Sequence, residues 1–160
     1  MQKIMVVSHT HGHHENFRKA LRTEGNIDLL IHLGDSEGEE DYIAALTDCE
    51  TVIVAGNCDY FSRLDKEMML QLGSKKAFIT HGHYYSVSLG TEVIIDEAVS
   101  READIVMFGH THKPVVEEED GIMVINPGSI SYPRQENRKP SYIIIAIDNE
   151  NEFNYEIKYI

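Results

Sequence analysis

The chain has 160 residues, a length that predicts a single domain over residues 1–160 with enough apolar side chains for a core. Apolar residues make up 42% of it, which excludes a disordered chain, and no apolar run approaches the roughly 20 residues of a membrane span. The net charge of −13 offers no general attraction to duplex nucleic acid or an anionic membrane, so a bound phosphate would need local cations.

The two cysteines and the first residues favour a cytoplasmic protein. Cys49 and Cys58 do not have the CxxC spacing, and two cysteines do not make a disulfide framework. Residues 1–8 lack the basic start and long apolar stretch of a signal peptide. We therefore expect a reducing compartment.

The first part of the chain alternates short apolar runs with helical patterns. The runs predict strands at 4–7, 29–33 and 52–55. Gly25 predicts the end of the first helix. Ser36 and Glu39 have the spacing of a capping box, which predicts a second helix starting just after Asp35. Three strands separated by two helices form a βαβαβ unit, and hence a parallel sheet.

The rest of the chain is richer in strand patterns. Apolar or alternating runs predict strands at 68–72, 77–80, 105–108, 115–116, 123–125, 142–147 and 153–157. One helix is predicted over 92–102, with Thr91 as its N-cap. We find no internal repeat and no linker in the sequence.

Polar side chains that can bind a metal follow the ends of the predicted strands. They are His9, His11, Asp35, Asn57, His81, His110 and His112. In open α/β sheets, sites form beyond the carboxyl ends of the strands, so we expect these side chains to converge. Imidazole nitrogens with carboxylate and amide oxygens suit divalent transition metals. A carboxylate shared by two ions about 3.5–4 Å apart would suit phosphoryl displacement.

Five blocks around these residues resemble the calcineurin-like metallophosphoesterases, in particular their small bacterial and archaeal phosphodiesterase branch. That family's pattern is D-x-H, G-D, G-N-[HC]-[DE], a later H, and G-H-x-H. The matching blocks are 8–12, 34–35, 56–59, 80–83 and 109–112, and residues 126–129 resemble a further loop of the branch. The resemblance implies an α/β fold, a four-layer α-β-β-α sandwich of two mixed β-sheets flanked by helices.

The resemblance also implies roles for individual residues. Asp35 would bridge two divalent ions, of which the first is held by His11, His112 and position 9, and the second by Asn57, His81 and His110. A metal-bound water or hydroxide would attack the phosphorus of a small-molecule phosphoester or nucleotide. Mn is the first choice of metal, with Fe, Zn, Ni and Co as alternatives.

His9 departs from the family pattern, which has Asp at this position. Imidazole can bind a metal but is neutral, so Asp35 is left as the only carboxylate of the set. We expect weaker binding at the first site and a preference for imidazole-friendly metals over Mg or Ca. The alternative is a metal-binding scaffold or interaction protein with weak or lost catalysis, by analogy with a eukaryotic retromer subunit of the same fold.

Four residues are candidates for direct roles in catalysis. Asn57 is both a ligand and a catalytic candidate. Cys58 stands where many family members have a His that stabilises the transition state or leaving group, or it is a small buried thiol. Asp59 would orient a neighbouring group, and His83 would face the substrate or support a ligand.

Other polar residues leave two interpretations open. His32 lies within a strand, which indicates a structural role. Asn126 and Ser129 bind substrate or shape a turn. Arg134 and Arg138 guide a phosphate or belong to a surface loop.

Two further groups are expected at the surface. The acidic runs 37–41 and 117–120 are predicted to be solvated. Tyr84, Tyr85 and Tyr132 form a contact surface for a homo-oligomer or pack locally.

Overall fold

The computed structural model describes residues 1–60 and 62–160. In chain order its helices and strands are β1 (Gln2–Val7), α1 (Glu15–Glu24), β2 (Leu29–His32), α2 (Glu40–Ala45), β3 (Glu50–Ile53), β4 (Glu67–Leu72), β5 (Lys75–Thr80), α3 (Glu92–Ser100), β6 (Ile105–Met107), β7 (Pro114–Glu119), β8 (Ile122–Pro127), β9 (Ser141–Ile147) and β10 (Phe153–Tyr159). A short 3₁₀ turn, His83–Tyr85, follows β5.

The strands form two five-stranded sheets of mixed direction, with the orders β10-β9-β1-β2-β3 and β4-β5-β6-β8-β7. In the first sheet β1, β2 and β3 are parallel, whereas β9 is antiparallel to both β1 and β10. In the second sheet β5, β6 and β8 are parallel, and β4 and β7 pair antiparallel at the edges. The parallel strands end at the same edge of their sheet, which is where a site is expected.

Successive residues of the central strands face different layers, as the period of two requires. The core between the sheets includes Ile4, Val6, Ile31, Ile79, Ile105 and Met107. On the outer face of the first sheet, Met5, Val7 and Leu30 pack with Phe17 and Ala20 of α1 and Ile43 of α2. On the outer face of the second sheet, Phe78, Val106 and Val124 pack with Ile94, Ile95 and Ala98 of α3. The predicted α-β-β-α sandwich is confirmed.

The second helix begins later than the capping box predicts, at Glu40. The Ser36 hydroxyl does not cap it but lies 3.4 Å from carboxylate oxygens of both Glu40 and Asp59. Asp59 also accepts the N–H of Glu37 at 2.6 Å, which holds this segment in a turn. The prediction was wrong because it lacked this partner, 22 residues further along the chain.

Two smaller differences concern strand β3 and the start of α3. The predicted strand 52–55 is shifted to Glu50–Ile53, because Val54 and Ala55 already belong to the loop that leads to the site. Thr91 is the N-cap residue as predicted, but its hydroxyl donates to Glu119 (2.7 Å) rather than to a helix amide.

None of the helices within 1–60 and 62–160 is long and apolar enough to cross a membrane.

Candidate metal centre

Loops from both sheets meet at one edge. The loops of each sheet are joined to one another by backbone hydrogen bonds. Within the first sheet, the His9 N–H donates to the carbonyl of Gly34 at 3.1 Å. Within the second, the Gly109 N–H donates to the carbonyl of His81 at 2.9 Å. The seven predicted ligands lie on these loops and on the loop after β3. The structure brings all seven together: His9, His11, Asp35, Asn57, His81, His110 and His112.

Asp35 lies at the centre of this cluster and is almost fully buried. Its Oδ2 is 3.1 Å from His9 Nδ1, 3.6 Å from His11 Nε2 and 3.5 Å from His81 Nε2. Its Oδ1 accepts the N–H of Cys58 at 2.8 Å. Burial alone would raise the pKa of Asp35, but the His9 hydrogen bond, the charge of His81 and the Cys58 amide hold it well below its usual range. Asp35 is therefore an anion at neutral pH.

Three imidazoles share one orientation, in which Nδ1 faces an oxygen outside the cluster. The pairs are His11 with a Glu37 carboxylate oxygen (3.0 Å), His81 with the Leu33 carbonyl (2.7 Å) and His112 with the Tyr132 carbonyl. These acceptors place the proton on Nδ1 and leave the Nε2 lone pair free to bind a metal.

His110 and Asn57 complete a second group of donor atoms. His110 Nδ1 lies 3.2 Å from Asn57 Oδ1 and 3.3 Å from His81 Nε2. Burial lowers the pKa of His81 to about 4 and also lowers that of His110. The two imidazoles are therefore neutral at pH 7, the state in which histidine binds a metal.

The donor atoms fit a divalent transition metal. One atom from each of His9, His11, Asp35 and His112 lies within 4.8 Å of the others. Four imidazoles, one carboxylate and one amide, counting without His9, form a nitrogen and oxygen set suited to Mn, Fe, Co, Ni or Zn.

Asp59 supports the cluster from behind. It is buried, and its carboxylate accepts the N–H groups of Asp35 (2.7 Å), Gly56 (2.7 Å) and Glu37 (2.6 Å). It thereby ties the loop after β2 to the loop after β3. This arrangement is consistent with the predicted orienting role of Asp59.

The other two catalytic candidates occupy different places. Cys58 lines the cavity above the cluster, and burial together with the neighbouring carboxylates of Asp35 and Glu37 raises the pKa of its thiol to about 11. It is therefore a neutral, weak donor at pH 7. His83 packs beside His81 and His110, with ring centroids 5.3 and 6.1 Å away, and is not among the residues described as lining the cavity.

Contacts favour structural roles for three residues whose interpretation was open. His32 is fully buried and its Nδ1 accepts the N–H of Gly34 at 3.1 Å. Asn126 donates to the Gly109 carbonyl at 3.0 Å, and the hydroxyl of Ser129 accepts the N–H of Tyr132 at 2.6 Å. These residues shape the loops rather than face the cavity.

A cavity of about 830 Å³ opens above the cluster. Its wall combines ligand candidates with Tyr132, Arg134, Arg138 and His13. The two arginines are cations at the mouth of a cavity in a strongly acidic chain, a place where they can attract an anionic group.

Five of the seven ligand candidates have a left-handed backbone, which non-glycine residues rarely adopt. They are His9 (φ 61°), His11 (φ 47°), Asp35 (φ 61°), His110 (φ 64°) and His112 (φ 59°). Such conformations concentrate at functional sites, where surrounding contacts hold them in place.

The sequence did not predict the residues that orient the imidazoles. Glu37 was assigned to a solvated run, yet it accepts the hydrogen bond of His11. The Leu33 and Tyr132 partners are backbone carbonyls, which leave no signal in residue types.

Comparison with known proteins identifies the family. The model of the calcineurin-like phosphoesterase superfamily domain matches residues 2–150. The probable metallophosphoesterase YsnB of Bacillus subtilis is 36% identical over 148 residues, covering 92% of this chain and 85% of that protein. Phosphodiesterase MJ0936 of Methanocaldococcus jannaschii is 33% identical over 144 residues, covering 79% and 82%. The chain belongs to the calcineurin-like phosphoesterase superfamily, as its motifs predicted.

Solved structures agree in fold. A protein of Streptococcus pneumoniae described as a predicted phosphoesterase has a TM-score of 0.80 at 29% identity, over 99% of this chain and 98% of that chain. A Vps29 mutant of Entamoeba histolytica has a TM-score of 0.79 at 23% identity, over 99% of both chains. The second likeness shows the shared fold alone.

Proposed function

We propose that the chain is a metal-dependent phosphoesterase, a phosphodiesterase or phosphatase, with two divalent ions that share Asp35. His11 and His112 would hold the first ion with Asp35, and Asn57, His81 and His110 would hold the second. The observation that carries this proposal is the common orientation of His11, His81 and His112, whose Nδ1 atoms each face an outside oxygen. Imidazoles fixed this way present a free Nε2 to a metal.

When bound, such ions would polarise a phosphoryl oxygen and activate water, which are the main contributions of metals to ester hydrolysis. The chain supplies the rest. Asp35 stays ionised, and burial keeps His81 neutral to about pH 4. Arg134 and Arg138 at the cavity wall would attract the anionic substrate, a small phosphoester or nucleotide. Mn is the metal to test first, followed by Fe, Zn, Ni and Co.

The test is turnover of bis-p-nitrophenyl phosphate and p-nitrophenyl phosphate with each metal in turn. We expect metal-dependent hydrolysis whose rate falls by more than about 100-fold in Asp35→Asn. This loss exceeds the roughly 10–100-fold that is usual when a residue that only hydrogen-bonds to a metal ligand is changed. Asp96→Asn, which removes a charge from the exposed side of α3, is the matched control and should keep full activity. No turnover of either ester with any metal would contradict an enzymatic role.

His9 favours a second candidate, a metal-binding scaffold or interaction protein with weak or lost catalysis. The position that has Asp in the family motif here has an imidazole, and so the cluster has one carboxylate fewer. Metal binding measured by calorimetry without turnover of either ester would favour this second function.

A further inference from the structure

His9 is fully buried between the central carboxylate and the last loop of the cluster. Its Nδ1 lies 3.1 Å from Asp35 Oδ2. Its Nε2 accepts the backbone N–H of His110 at 2.8 Å. The ring also packs against that of His112, with centroids 3.7 Å apart.

The proton count on this ring is fixed by its partners. A neutral imidazole has one N–H and one lone pair. A backbone amide can only donate, so the hydrogen bond from His110 uses the lone pair of His9 Nε2. The proton is then on Nδ1, where it donates to Asp35. Both nitrogens are used, and neither has a lone pair left for a metal.

This arrangement differs from that of the three imidazoles described above. His11, His81 and His112 each have Nδ1 facing an oxygen outside the cluster, which leaves Nε2 unprotonated. The Nε2 of His81 faces His110 Nδ1 at 3.3 Å, a ring atom that can be unprotonated in the other tautomer, whereas the backbone amide that faces His9 Nε2 always donates. A donor atom of His9 lies within 4.8 Å of donor atoms of His11, Asp35 and His112, which is close enough for a shared metal ion. The hydrogen bonds of His9, however, leave it no nitrogen lone pair with which to bind one.

The adjacent loop is built for close approach to His9. A Cβ at Gly109 would lie 3.1 Å from His9 Nε2 and 2.9 Å from Ser8 Oγ. The absence of a side chain at Gly109 therefore lets the His110 amide reach the ring.

We infer that His9 is a positioning residue and not a metal ligand: it holds Asp35 and the loop of His110 in place, and the first metal site has three protein ligands, His11, Asp35 and His112. This inference rests on the proposed metal centre. It implies two unequal sites, because Asp35, Asn57, His81 and His110 give the second site four ligands. It also implies that His9→Asp creates a fourth ligand for the first site.

The direct test is ¹⁵N NMR of the histidine side chains, first in the metal-free protein and then with Zn²⁺. The His9 resonances are assigned by their loss in His9→Asn. Without metal we expect a protonated Nδ1 and an unprotonated Nε2. With Zn²⁺ the Nε2 resonances of His11, His81 and His112 shift, whereas the pattern of His9 persists. A proton on Nε2 of His9 without metal, or a zinc-induced shift typical of a ligand, would overturn the inference.

Metal titration by calorimetry provides the second readout, with Mn²⁺ as the probe. We expect a tight and a weaker binding event in the wild type, and a gain of at least about 10-fold in the weaker one in His9→Asp. His11→Asn, which removes a proposed ligand, should abolish the weaker event, whereas His9→Asn should retain it. Equal loss in His9→Asn and His11→Asn, with both variants folded by circular dichroism, would make His9 a ligand.

The two proposals fail in different ways. A wild-type protein that binds neither Mn²⁺ nor Zn²⁺ would refute the proposed function. The metal-free NMR spectrum would then decide on its own whether His9 bridges Asp35 and His110.

Discussion

His32 is a buried histidine that the fold keeps neutral beneath the candidate metal centre. Its Nδ1 accepts the N–H of Gly34, and its Nε2 lies 3.1 Å from the hydroxyl of Thr10. Burial lowers its pKa from 6.5 to about 3. The unfolded chain therefore binds a proton between these values that the folded chain does not, and stability is lost as the pH falls below about 6.5.

We predict that His32 alone lowers the free energy of unfolding by roughly 1.5 kcal/mol between pH 6.5 and 5. His32→Asn, which keeps an acceptor and does not titrate in this range, should remove that part of the pH dependence. Urea unfolding of the metal-free protein at several pH values measures it. The exposed His13→Asn is the control and should follow the wild type. An unchanged slope in His32→Asn would contradict the prediction.

Asp59 holds two loops of the site through three backbone amides. In Asp59→Asn one oxygen becomes an NH₂ group, so one or two of the three amides lose their acceptor. We expect the free energy of unfolding to fall by roughly 2–3 kcal/mol and metal affinity to fall by about 10–100-fold. Chemical denaturation and calorimetry measure the two effects. Asp96→Asn should change neither, and an Asp59→Asn protein with native metal affinity would show that Asp59 does not position the ligands.

At the scale of single residues, the sequence identified the cluster but not its hydrogen bonds. Histidines, Asp35 and Asn57 after strand ends were enough to predict convergence, because parallel strands end at one edge. The orientation of each ring depends on groups such as the Leu33 carbonyl, which is brought close only by the fold. For His9 the sequence predicted a ligand, whereas its two hydrogen bonds led us to infer a different role.

At the scale of elements, the loops after β2 and β3 approach each other too closely for a side chain between them. A Cβ at Gly56 would lie 2.2 Å from Asp35 Oδ1 and 2.5 Å from the Asp35 backbone nitrogen. This contact fixes Asp35 against the loop that contains Asn57 and Cys58.

Gly56→Ala should therefore push the two loops apart. We expect the free energy of unfolding to fall by about 3 kcal/mol, the upper end of the range for an extra methyl group in a tightly packed site, and metal binding to weaken. The control is Gly12→Ala, where a Cβ would meet nothing within 4 Å and only the positive φ of 74° costs energy, about 1 kcal/mol. Thermal unfolding and metal titration compare the two. Equal losses of stability in Gly56→Ala and Gly12→Ala would mean that the loops at Gly56 have room for a side chain.

Elements were predictable where the pattern is local. The alternation of Ile4, Met5, Val6 and Val7 between two cores follows from the strand period. The start of α2 was not predictable, because Asp59, which lies on another loop, accepts a hydrogen bond from the backbone N–H of Glu37. The pairing of ten strands into two sheets came from the family resemblance, since residue patterns alone do not specify strand order.

The chain has a net charge of −13, yet two arginines, Arg134 and Arg138, line the cavity above the ligand cluster. A general negative field would repel an anionic phosphodiester, so local cations must offset it. The backbone N–H of Arg134 donates to the carbonyl of His112 at 3.1 Å, which places this residue beside the proposed ligands.

We predict that Arg134→Ala raises KM for bis-p-nitrophenyl phosphate by roughly 2–5-fold with little change in kcat, the range for an exposed ion pair. The difference in KM between Arg134→Ala and the wild type should shrink as the salt concentration increases, because salt screens the attraction between the Arg134 charge and the ester. Arg22→Ala, which removes the same charge near the far end of α1, is the matched control and should keep the wild-type KM. A KM that is unaffected in Arg134→Ala at low salt would exclude this role.

The left-handed backbone at His9, His11, Asp35, His110 and His112 has a consequence for heat resistance. Each such position costs of the order of 1–3 kcal/mol, which glycine or asparagine would largely avoid. A screen that selects only for a higher melting temperature should therefore find gains here early, and would remove the proposed metal ligands as it did so. The edge of the sheets that carries the candidate metal centre is therefore also a part of the molecule where the backbone lowers thermal stability.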